Sequence, residues 1–471
     1  EDGTYTIVAD QYATVENPGE APFTASSLSN AFSKVKEGGT ITLLKDVPAT
    51  SATYSNNKKS CTLDLNGHTV DSTKFATLNV TKYVSSTTED YAQVVVKNGT
   101  IRNSYNGSAD PLGVAVYADQ SVNLTLENVT LEAAPLTTGV PGYGLRVGNT
   151  ATNGKRNPTV TVRGAETAIK GTDAGISVIA SPERGTSSLV LEDGVVEGAH
   201  FGIVGNGECD DTNITISGGT VRATDAEGCA LYHPQDGDLA ITGGTFEGAS
   251  GVQYSGAGKL DVSGGTITAT APAIASPDLS GDSASINDGA ALSLISRGGG
   301  YGAERSAEVT ITGGTLVSKN NVAVREYAAD GLNTLVKSMA VSQAEGKALK
   351  VEGGSGKDAL VLGSLPAEEA KVVTGGTFSS MINEGYYDGT RYQQNALGAG
   401  EQPGAVVPRA YEITCDLDGG VFAGEADNPT SYMFATDDFT LANPTKPGYV
   451  FAGWTGTDLE GATATVVIRK G

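Results

Sequence analysis

One short phrase recurs along the chain and limits its fold more than any other feature. It reads "ITISGGTVRA" from residue 214, "ITGGTFEGA" from 241, "VSGGTITAT" from 262, "ITGGTLVSK" from 311 and "VTGGTFSS" from 373. Alternation with a period of two places Ile214 and Ile216 on one face of a strand and Thr215 on the other. The Gly-Gly pair bends the chain without a Cβ clash, and the strand resumes with Val221 on the same face. Each copy therefore predicts two short strands separated by a glycine bend.

The phrase occurs eleven times once its turn residues are allowed to vary. Its second apolar position falls at Leu65, Val96, Leu126, Val162, Leu191, Ile216, Ile241, Val262, Ile286, Ile311 and Val373. The gaps are 21 to 36 residues, except before Val373, where there is room for about two more turns and Val351 marks one candidate. Five residues further on is a second site, held by Val70, Ile101, Leu131, Val196, Val221, Phe246, Ile267, Leu316 and Phe378, with Ala291 small and Thr167 polar.

A third strand precedes these two and keeps step with them. It reads Gly, apolar, any, apolar: "GVAV" at 113, "GLRV" at 144, "GISV" at 175, "GIVG" at 202, "GCAL" at 228 and "GVQY" at 251. Three strands in fixed phase describe one coil of a parallel β-solenoid, whereas a propeller blade needs roughly 40–50 residues. About a dozen coils spaced about 4.8 Å apart give a rod on the order of 60 Å long, filled by stacked Val, Ile and Leu.

The beginning of the chain carries a predicted cap for the open first coil. In "SLSNAFSKVKEGGTITLL", Leu28, Ala31, Phe32 and Val35 share one helical face. Ser27 starts the helix, and the Gly38-Gly39 pair is expected to end it. The strand "TITLL" follows. We expect residues 1–50 to form this cap and 51–380 to form the coils.

These segments resemble a known superfamily. The helix followed by "GGTITLLKDV", the "TLDLNGHTV" turn and the "ITGGTF" coils are similar to the right-handed parallel β-helix proteins typified by pectate lyases. They resemble more closely the coil repeats of large bacterial cell-surface proteins, over roughly residues 25–380. The resemblance implies an all-β, right-handed parallel β-helix. Its motifs are structural and imply no particular activity.

The last sixty residues resemble a second family, the Listeria–Bacteroides repeat, also called the internalin B-repeat. After a predicted cap and linker at 381–409, the matching residues within 410–471 are Tyr411, Asp418-Gly419-Gly420, Asn428-Pro429, Tyr432, Leu441, Pro444, Pro447-Gly448-Tyr449, Phe451 and Gly453-Trp454. The resemblance implies a small β-grasp-like module of bacterial surface proteins. We expect Trp454, the single tryptophan, to belong to its core.

Composition excludes several classes of function. The net charge of −23 disfavours nucleic acid, because phosphate binding needs clustered Lys and Arg. The sequence contains no run of 18 apolar residues, which is the length that would predict a membrane span. The four cysteines form no metal-binding spacing, so we expect buried thiols. Because the chain begins at Glu1, we interpret it as a processed export product that is secreted or attached to the cell wall.

Two candidate sites lie on the predicted outer edges. Glu183, Asp210 and Asp236 follow three successive Gly-led strands, with Asp211 and Asp238 beside them. Side chains stacked in this way suit Ca²⁺ or a glycosidase-type carboxylate pair, although acidic residues are also common in solvated turns. The other candidate is a polar and aromatic patch of Arg146, Tyr232 and Gln253, with His233 adjoining, that would stack on sugar rings.

The sequence favours a non-enzymatic role. General acid–base chemistry needs two titrating groups within reach of one bond, and the outward positions of the third strand hold no carboxylate. We therefore expect a monomeric surface adhesin or scaffold whose partner is a host or microbial glycan or glycoprotein. A polysaccharide lyase or glycoside hydrolase using the acidic edge is the first alternative, and a purely structural spacer is the second.

Overall fold

The structure, a computed structural model, describes residues 10–82, 90–107, 112–148, 157–180, 185–207, 212–272, 279, 286–297, 305–363, 371–398, 402–422, 428–456 and 458–470. Strands account for 49% of the described residues and helices for 3%, so the fold is all-β, as the sequence predicts. Its main sheets are parallel.

Helix α1 spans Leu28–Lys34, and a 3-10 helix spans Glu384–Tyr386. In chain order the strands are β1 (Ala13–Glu16), β2 (Phe23–Ala25), β3 (Gly39–Leu43), β4 (Val47–Thr50), β5 (Tyr54–Ser55), β6 (Cys61–Asp64), β7 (Thr69–Ser72), β8 (Ala76–Lys82), β9 (Ala92–Asn103), β10 (Gly113–Gln120), β11 (Val122–Ala133), β12 (Gly142–Gly148), β13 (Thr159–Arg163), β14 (Ala168–Gly171), β15 (Ala174–Val178), β16 (Ser187–Leu191), β17 (Val195–Gly198), β18 (Phe201–Val204), β19 (Thr212–Ile216), β20 (Thr220–Ala223), β21 (Cys229–His233), β22 (Gly237–Ile241), β23 (Thr245–Gly248), β24 (Ser250–Tyr254), β25 (Gly258–Ala269), β26 (Leu292–Ser296), β27 (Ala307–Ser318), β28 (Val324–Ala328), β29 (Val336–Val341), β30 (Leu349–Glu352), β31 (Leu360–Val361), β32 (Thr377–Phe378), β33 (Tyr392–Gln394), β34 (Val406–Pro408), β35 (Tyr411–Glu412), β36 (Val421–Phe422), β37 (Ser431–Tyr432), β38 (Phe439–Thr440), β39 (Pro444–Thr445) and β40 (Val467–Ile468).

The first ladder of parallel pairs connects the strand that precedes each glycine bend. Its inward row of buried side chains is Ile41, Leu63, Val96, Leu126, Val162, Leu191, Ile216, Ile241, Val262, Ile311, Val341 and Val373. Most of the predicted positions are confirmed. Leu63, not Leu65, is in register, because Leu65 lies in the turn that follows β6. Ile286 is also outside the row, since it packs with Ile295 and Tyr327 in a separate apolar cluster.

The second ladder connects the strand that follows each bend. Its buried row is Val47, Val70, Ile101, Leu131, Ile169, Val196, Val221, Phe246, Ile267, Leu316, Val351 and Phe378. Ile169 fills the position that the sequence assigned to Thr167. Val351 belongs here and not to the first ladder, where Val341 follows Ile311. The long strands β9, β11, β25 and β27 contribute to both ladders.

The third ladder is a separate parallel sheet in the order β5, β8, β10, β12, β15, β18, β21, β24, β26, β28 and β31. Its inward row runs Leu78, Val116, Leu145, Ile176, Ile203, Leu231, Val252, Leu292, Val324 and Leu360. The six Gly-led segments all form strands here. Two of them, "GVAV" and "GCAL", are shifted by two residues relative to the others. In these two the third residue after the glycine faces inward, because Val116 pairs with Leu145 and Leu231 pairs with Val252.

The repeated Gly-Gly pair has a steric explanation. A Cβ on Gly218 would lie 2.1 Å from the carbonyl oxygen of Glu192 in the preceding repeat. Gly219 has a φ of +76°, which side chains with a Cβ rarely adopt. In the early copies Asn66, Asn98 and Asn128 take the positive φ, as asparagine tolerates. The first glycine therefore leaves room for the backbone of the preceding repeat, and the second adopts the positive φ that the bend requires.

Both ends of the ladders are covered. Strand β1 pairs antiparallel with β2 and with β3, so it closes the first edge of the first ladder. Helix α1 begins after Ser27, whose hydroxyl accepts a hydrogen bond from the backbone N–H of Asn30, and ends at Lys34, earlier than the predicted Gly38. At the other end the β33–β34 pair is antiparallel, and Ile382 and Val406 extend the core.

The outer face of the second ladder carries charges that alternate in sign from strand to strand. Across seven neighbouring strands the row reads Asp71, Arg102, Glu132, Lys170, Glu197, Arg222 and Glu247. Arg102 Nε lies 3.1 Å from Glu132 Oε2, and Arg222 Nε donates to Glu197 Oε2 at 2.6 Å. Opposite charges directly across a strand pair stabilise that pairing, so this row favours one register.

Candidate functional site

The register of the third ladder determines where the predicted sugar-binding patch lies. The row on its outer face is Asn79, Tyr117, Arg146, Ser177, Val204, Tyr232, Gln253, Ser293 and Arg325. Arg146, Tyr232 and Gln253 therefore share one row. Tyr232 and Gln253 are direct neighbours, but three strand steps, about 14 Å, separate Arg146 from Tyr232.

Arg146 belongs to a different aromatic group. Its guanidinium carbon lies 5.6 Å from the centroid of the Tyr117 ring, within the range of a cation–π contact. The Phe75 ring meets Tyr117 edge-on at 6.1 Å. Arg146 itself is half-buried. The two-residue phase difference between "GVAV" and "GLRV" creates this contact, and sequence spacing alone did not reveal it.

Tyr232 is packed against neighbours and not displayed. Its ring stacks on Phe201 at 5.9 Å with an interplanar angle of 21°, and its hydroxyl accepts a hydrogen bond from Arg297 Nη1 at 3.2 Å. The exposed fraction of Tyr232 is 4%, and that of Arg297 is 8%. A sugar ring would have to displace part of this cluster before reaching the tyrosine.

Gln253 is fully buried beneath a chain segment, 286–290, that crosses the outer face. Its side-chain amide donates to the backbone oxygen of Ile286 and accepts from the backbone N–H of Ile286 at 2.9 Å. Asp288 in the same segment is also fully buried and accepts from the Ser250 hydroxyl at 3.0 Å. Burial raises the pKa of the Asp288 carboxyl. These contacts make Gln253 an anchor for this segment, so it cannot touch a ligand in this conformation.

The prediction that His233 adjoins a surface patch is wrong, because His233 is fully buried in the interior. It is the last residue of β21, faces inward and stacks on Tyr254 with ring centroids 4.9 Å apart and an interplanar angle of 8°. Neither ring nitrogen has a hydrogen-bond partner among the described residues. Burial lowers the pKa of His233 to about 3, so the imidazole is neutral near pH 7. Tyr254 is fully buried, as predicted for an inward apolar position.

The acidic edge is described only at two of its five residues, since Glu183, Asp210 and Asp211 lie outside the described residues. Asp236 Oδ1 accepts from the backbone N–H of Ala257 at 2.9 Å and lies 3.4 Å from Arg305 Nε. Asp238 Oδ1 accepts from the backbone N–H of Lys259 at 3.0 Å. Asp236 therefore holds the turn that follows the third ladder, and Asp238 in β22 holds the beginning of the next first-ladder strand, β25. Within the described ranges, no group of three or more His, Cys, Asp or Glu could hold a metal ion, so Ca²⁺ stays a prediction.

The structure adds a titratable cluster that the sequence reasoning missed. His200 Nδ1 lies 2.6 Å from Asp173 Oδ1, and His200 Nε2 lies 3.3 Å from Asp225 Oδ2. The three residues occupy equivalent connections of successive repeats, between the second and third ladders. The hydrogen bond to Asp173 is the main cause that raises the pKa of His200. With a carboxylate beside each ring nitrogen, the imidazole of His200 connects three repeats, and both of its nitrogens already face a partner.

The signal for this cluster was present in the repeat spacing. Asp173, His200 and Asp225 each come shortly before a Gly-led strand, at the repeat interval. Aligning the repeats by column would have placed His200 between the two acids.

The cysteines are not arranged for chemistry in the described part of the chain. Cys61 and Cys229 are free thiols and buried, as expected, whereas the free thiol Cys415 is only half-buried. Burial raises the pKa of Cys61 to about 12. Cys209 is outside the described residues.

Of the helices in the described chain, none has the length and apolar character that a membrane crossing requires. No protein-family model, curated protein or solved structure matches the chain.

Proposed function

We propose that the three ladders wind as a right-handed parallel β-helix of about a dozen coils. Each strand pairs with its counterpart one repeat later, and the connections between partners pass through the other two ladders. Crossover connections between parallel strands are right-handed in about 98% of cases. A pitch of about 4.8 Å per coil then gives a rod on the order of 60 Å long.

We infer that this rod works as an extracellular adhesin or scaffold, secreted or attached to a bacterial cell wall. The observation that carries the inference is the contrast across the strands of the first and second ladders. Their inward rows are continuously buried from Ile41 to Val373, whereas their outward rows hold mainly small polar residues and paired charges. A stiff frame that resists unfolding and displays its exterior suits attachment. Host or microbial glycans or glycoproteins are the partners that we propose, and the chain acts as a monomer.

The C-terminal residues extend this proposal. We treat 410–471 as an internalin B-repeat-like module that follows a cap and linker at 381–409. Its strands form short antiparallel pairs, β35–β37, β36–β39 and β38–β40, and Trp454 is 9% exposed, as a core residue should be. Modules of this kind would hold the rod away from the cell surface.

A lyase or hydrolase is less well supported by the acidic edge. Asp236 already faces Arg305 and a backbone N–H, so its carboxylate is held in a turn. Among the described residues of this edge, no second carboxylate is free to act with Asp236 on one glycosidic bond. The high negative charge also opposes the anionic polyuronates on which lyases act.

The function is tested with the purified chain on a glycan and glycoprotein array, run beside a depolymerisation assay on the same polysaccharides. We expect retention of at least one glycan or glycoprotein without release of reducing or unsaturated sugars. Small-angle scattering measures whether the particle has the expected elongated form.

Release of sugars that is lost in the Asp236→Asn variant would establish the enzyme instead. Absence of any binding, together with an elongated particle, would favour the structural spacer. Asp261→Asn, which changes an exposed carboxylate of β25 outside the acidic edge, is the matched control for Asp236→Asn.

A further inference from the structure

A cleft in the C-terminal module combines the groups that sugar binding requires. Its volume is about 430 Å³, within the usual range for small-ligand sites. Among its lining residues are Asp416, Asp418, Lys446, Tyr449, Phe451 and Trp454. Aromatic rings thus lie beside both kinds of charged hydrogen-bonding group in one concave surface.

The inner wall of the cleft is a fixed aromatic cluster. The Phe451 ring meets Trp454 edge-on with centroids 5.4 Å apart, and Phe422 packs at 6.5 Å from the same indole. Trp454 Nε1 donates to Asn443 Oδ1 at 3.0 Å, which fixes the indole plane. The wall is therefore formed before any ligand arrives, and a ligand need not order it.

The rim of the cleft differs from the inner wall because its aromatic ring, that of Tyr449, is exposed to water. Tyr449 is 71% exposed, and the neighbouring Val450 is 93% exposed. Lys446 Nζ lies 4.6 Å from the Tyr449 ring centroid and donates to the backbone oxygen of Asp418 at 2.6 Å. The Asp418 carboxylate, which is fully exposed, lies 3.7 Å from the same ammonium. A pyranose can pack its C–H face on the free side of such a ring while its hydroxyls bond to the carboxylate and the ammonium.

We propose that this cleft binds a neutral oligosaccharide and is the glycan-contacting site of the chain. The proposal rests on the adhesin function and moves its contact point from the third ladder, where Gln253 is buried, to the module. Charge selects the ligand class, because Asp416 and Asp418 at the rim and a net charge of −23 repel uronates and sialylated chains. Carboxylate acceptors suit the many hydroxyl donors of a neutral sugar.

The experiment uses calorimetric titration of the full chain with neutral hexasaccharides of glucose, mannose and N-acetylglucosamine. Oligogalacturonate of equal length is the anionic control. We expect at least one neutral probe to bind, with affinity unchanged by added salt, and oligogalacturonate not to bind. Tyr449→Ala should weaken binding about tenfold because the stacking surface is lost, whereas Tyr449→Phe should retain it.

Leu136→Ala is the matched control, because Leu136 is equally exposed at 71% but lies in the ladder region. It should leave the affinity unchanged. Binding that Tyr449→Ala does not weaken would overturn the cleft while leaving the adhesin function intact. If none of the probes binds the chain, yet glycoproteins on the array do, the neutral-sugar assignment fails by itself.

Discussion

The ladder region, strands β3 to β32, and the C-terminal module, strands β35 to β40, bury apolar surface in different ways. In the ladder region Phe246 is 0% exposed and lies between Val221 and Ile267 of the neighbouring strands. In the module, paired strands are two residues long, and Trp454 at 9% is among its most buried side chains.

The two regions therefore differ in how evenly their apolar side chains are buried. Each ladder position has an apolar neighbour above and below, so burial is repeated along the whole region. The module gathers a few rings around one indole and leaves Tyr449 and Val450 in solvent. Because Trp454 is the single tryptophan of the sequence, its fluorescence reports the module while far-UV circular dichroism reports mainly the ladders.

The largest expected effect comes from Phe246→Ala. Removing a fully buried ring from the stacked row should lower the free energy of unfolding by about 3–5 kcal/mol. Urea unfolding followed by circular dichroism should shift strongly, while the tryptophan transition stays in place. Thr268→Ala, on the outward face of the neighbouring strand and outside the charged row, is the control. A shared shift of both signals would show that the two regions unfold together.

Acid should affect the ladder region through His233. Its folded pKa of about 3 lies below the ordinary value of 6.5, so the unfolded chain takes up the proton first. Stability therefore falls as the pH drops below about 6.5, by about 2–3 kcal/mol at pH 4.5. Circular dichroism melts at pH 7 and pH 4.5 measure this loss. His233→Leu should reduce it, and an unchanged loss in that variant would assign the acid sensitivity elsewhere.

The module should respond to Phe451→Ala in the opposite pattern to Phe246→Ala. Phe451 is half-buried against Trp454, so we expect a loss of about 1–3 kcal/mol, less than for a fully buried ring. The tryptophan transition should move to lower urea while the circular dichroism transition stays. Val450→Ala, at 93% exposure, is the control. Equal shifts in the two variants would contradict the packing described for the indole.

Charge reversal tests the alternating row. Arg222→Glu places like charges beside Glu197 and Glu247, which should cost about 1 kcal/mol at low salt. Arg222→Met, which removes the charge without repulsion, should cost less. The gap between the two variants should narrow in 1 M salt because screening weakens exposed pairs. If the gap is absent at low salt, the alternation does not affect stability.

The smallest effect concerns His200. Its folded pKa is raised, so its ion pairs stabilise the fold fully below pH 6.5 and are lost as the pH rises through the folded pKa. Because the side chain is 56% exposed, solvent screening limits the contribution to less than about 1 kcal/mol. Chemical unfolding at pH 5.5 and pH 8.5 should show this dependence in the original chain and not in His200→Gln.

The stacked rows were predictable because burial imposes strict alternation on each strand. Val96, Ile216 and Val262 could be aligned by the phrase alone, and the ladders place them in one row. Register in the third ladder was less predictable. Leading glycines suggested one phase, but Val116 pairs with Leu145 because packing against the next strand, not the position of a glycine, sets the register.

The candidate sites were less accessible to sequence reasoning. Whether Gln253 faces water depends on segment 286–290 crossing above it, which is a long-range contact without a local pattern. His233 follows a run of strand residues, but only the pairing with Tyr254 shows that it points inward. The cleft around Tyr449 depends on how short strands pair, and spacing does not encode that arrangement.

The first ladder accommodates connections of very different length between neighbouring strands. Val262 pairs with Ile311 as directly as Ile241 pairs with Val262, although the sequence between the partners is more than twice as long. Doubling the length of a flexible connection costs only about 0.6 kcal/mol. New peptide sequence can therefore be grafted into this connection while the aliphatic stack below stays in register.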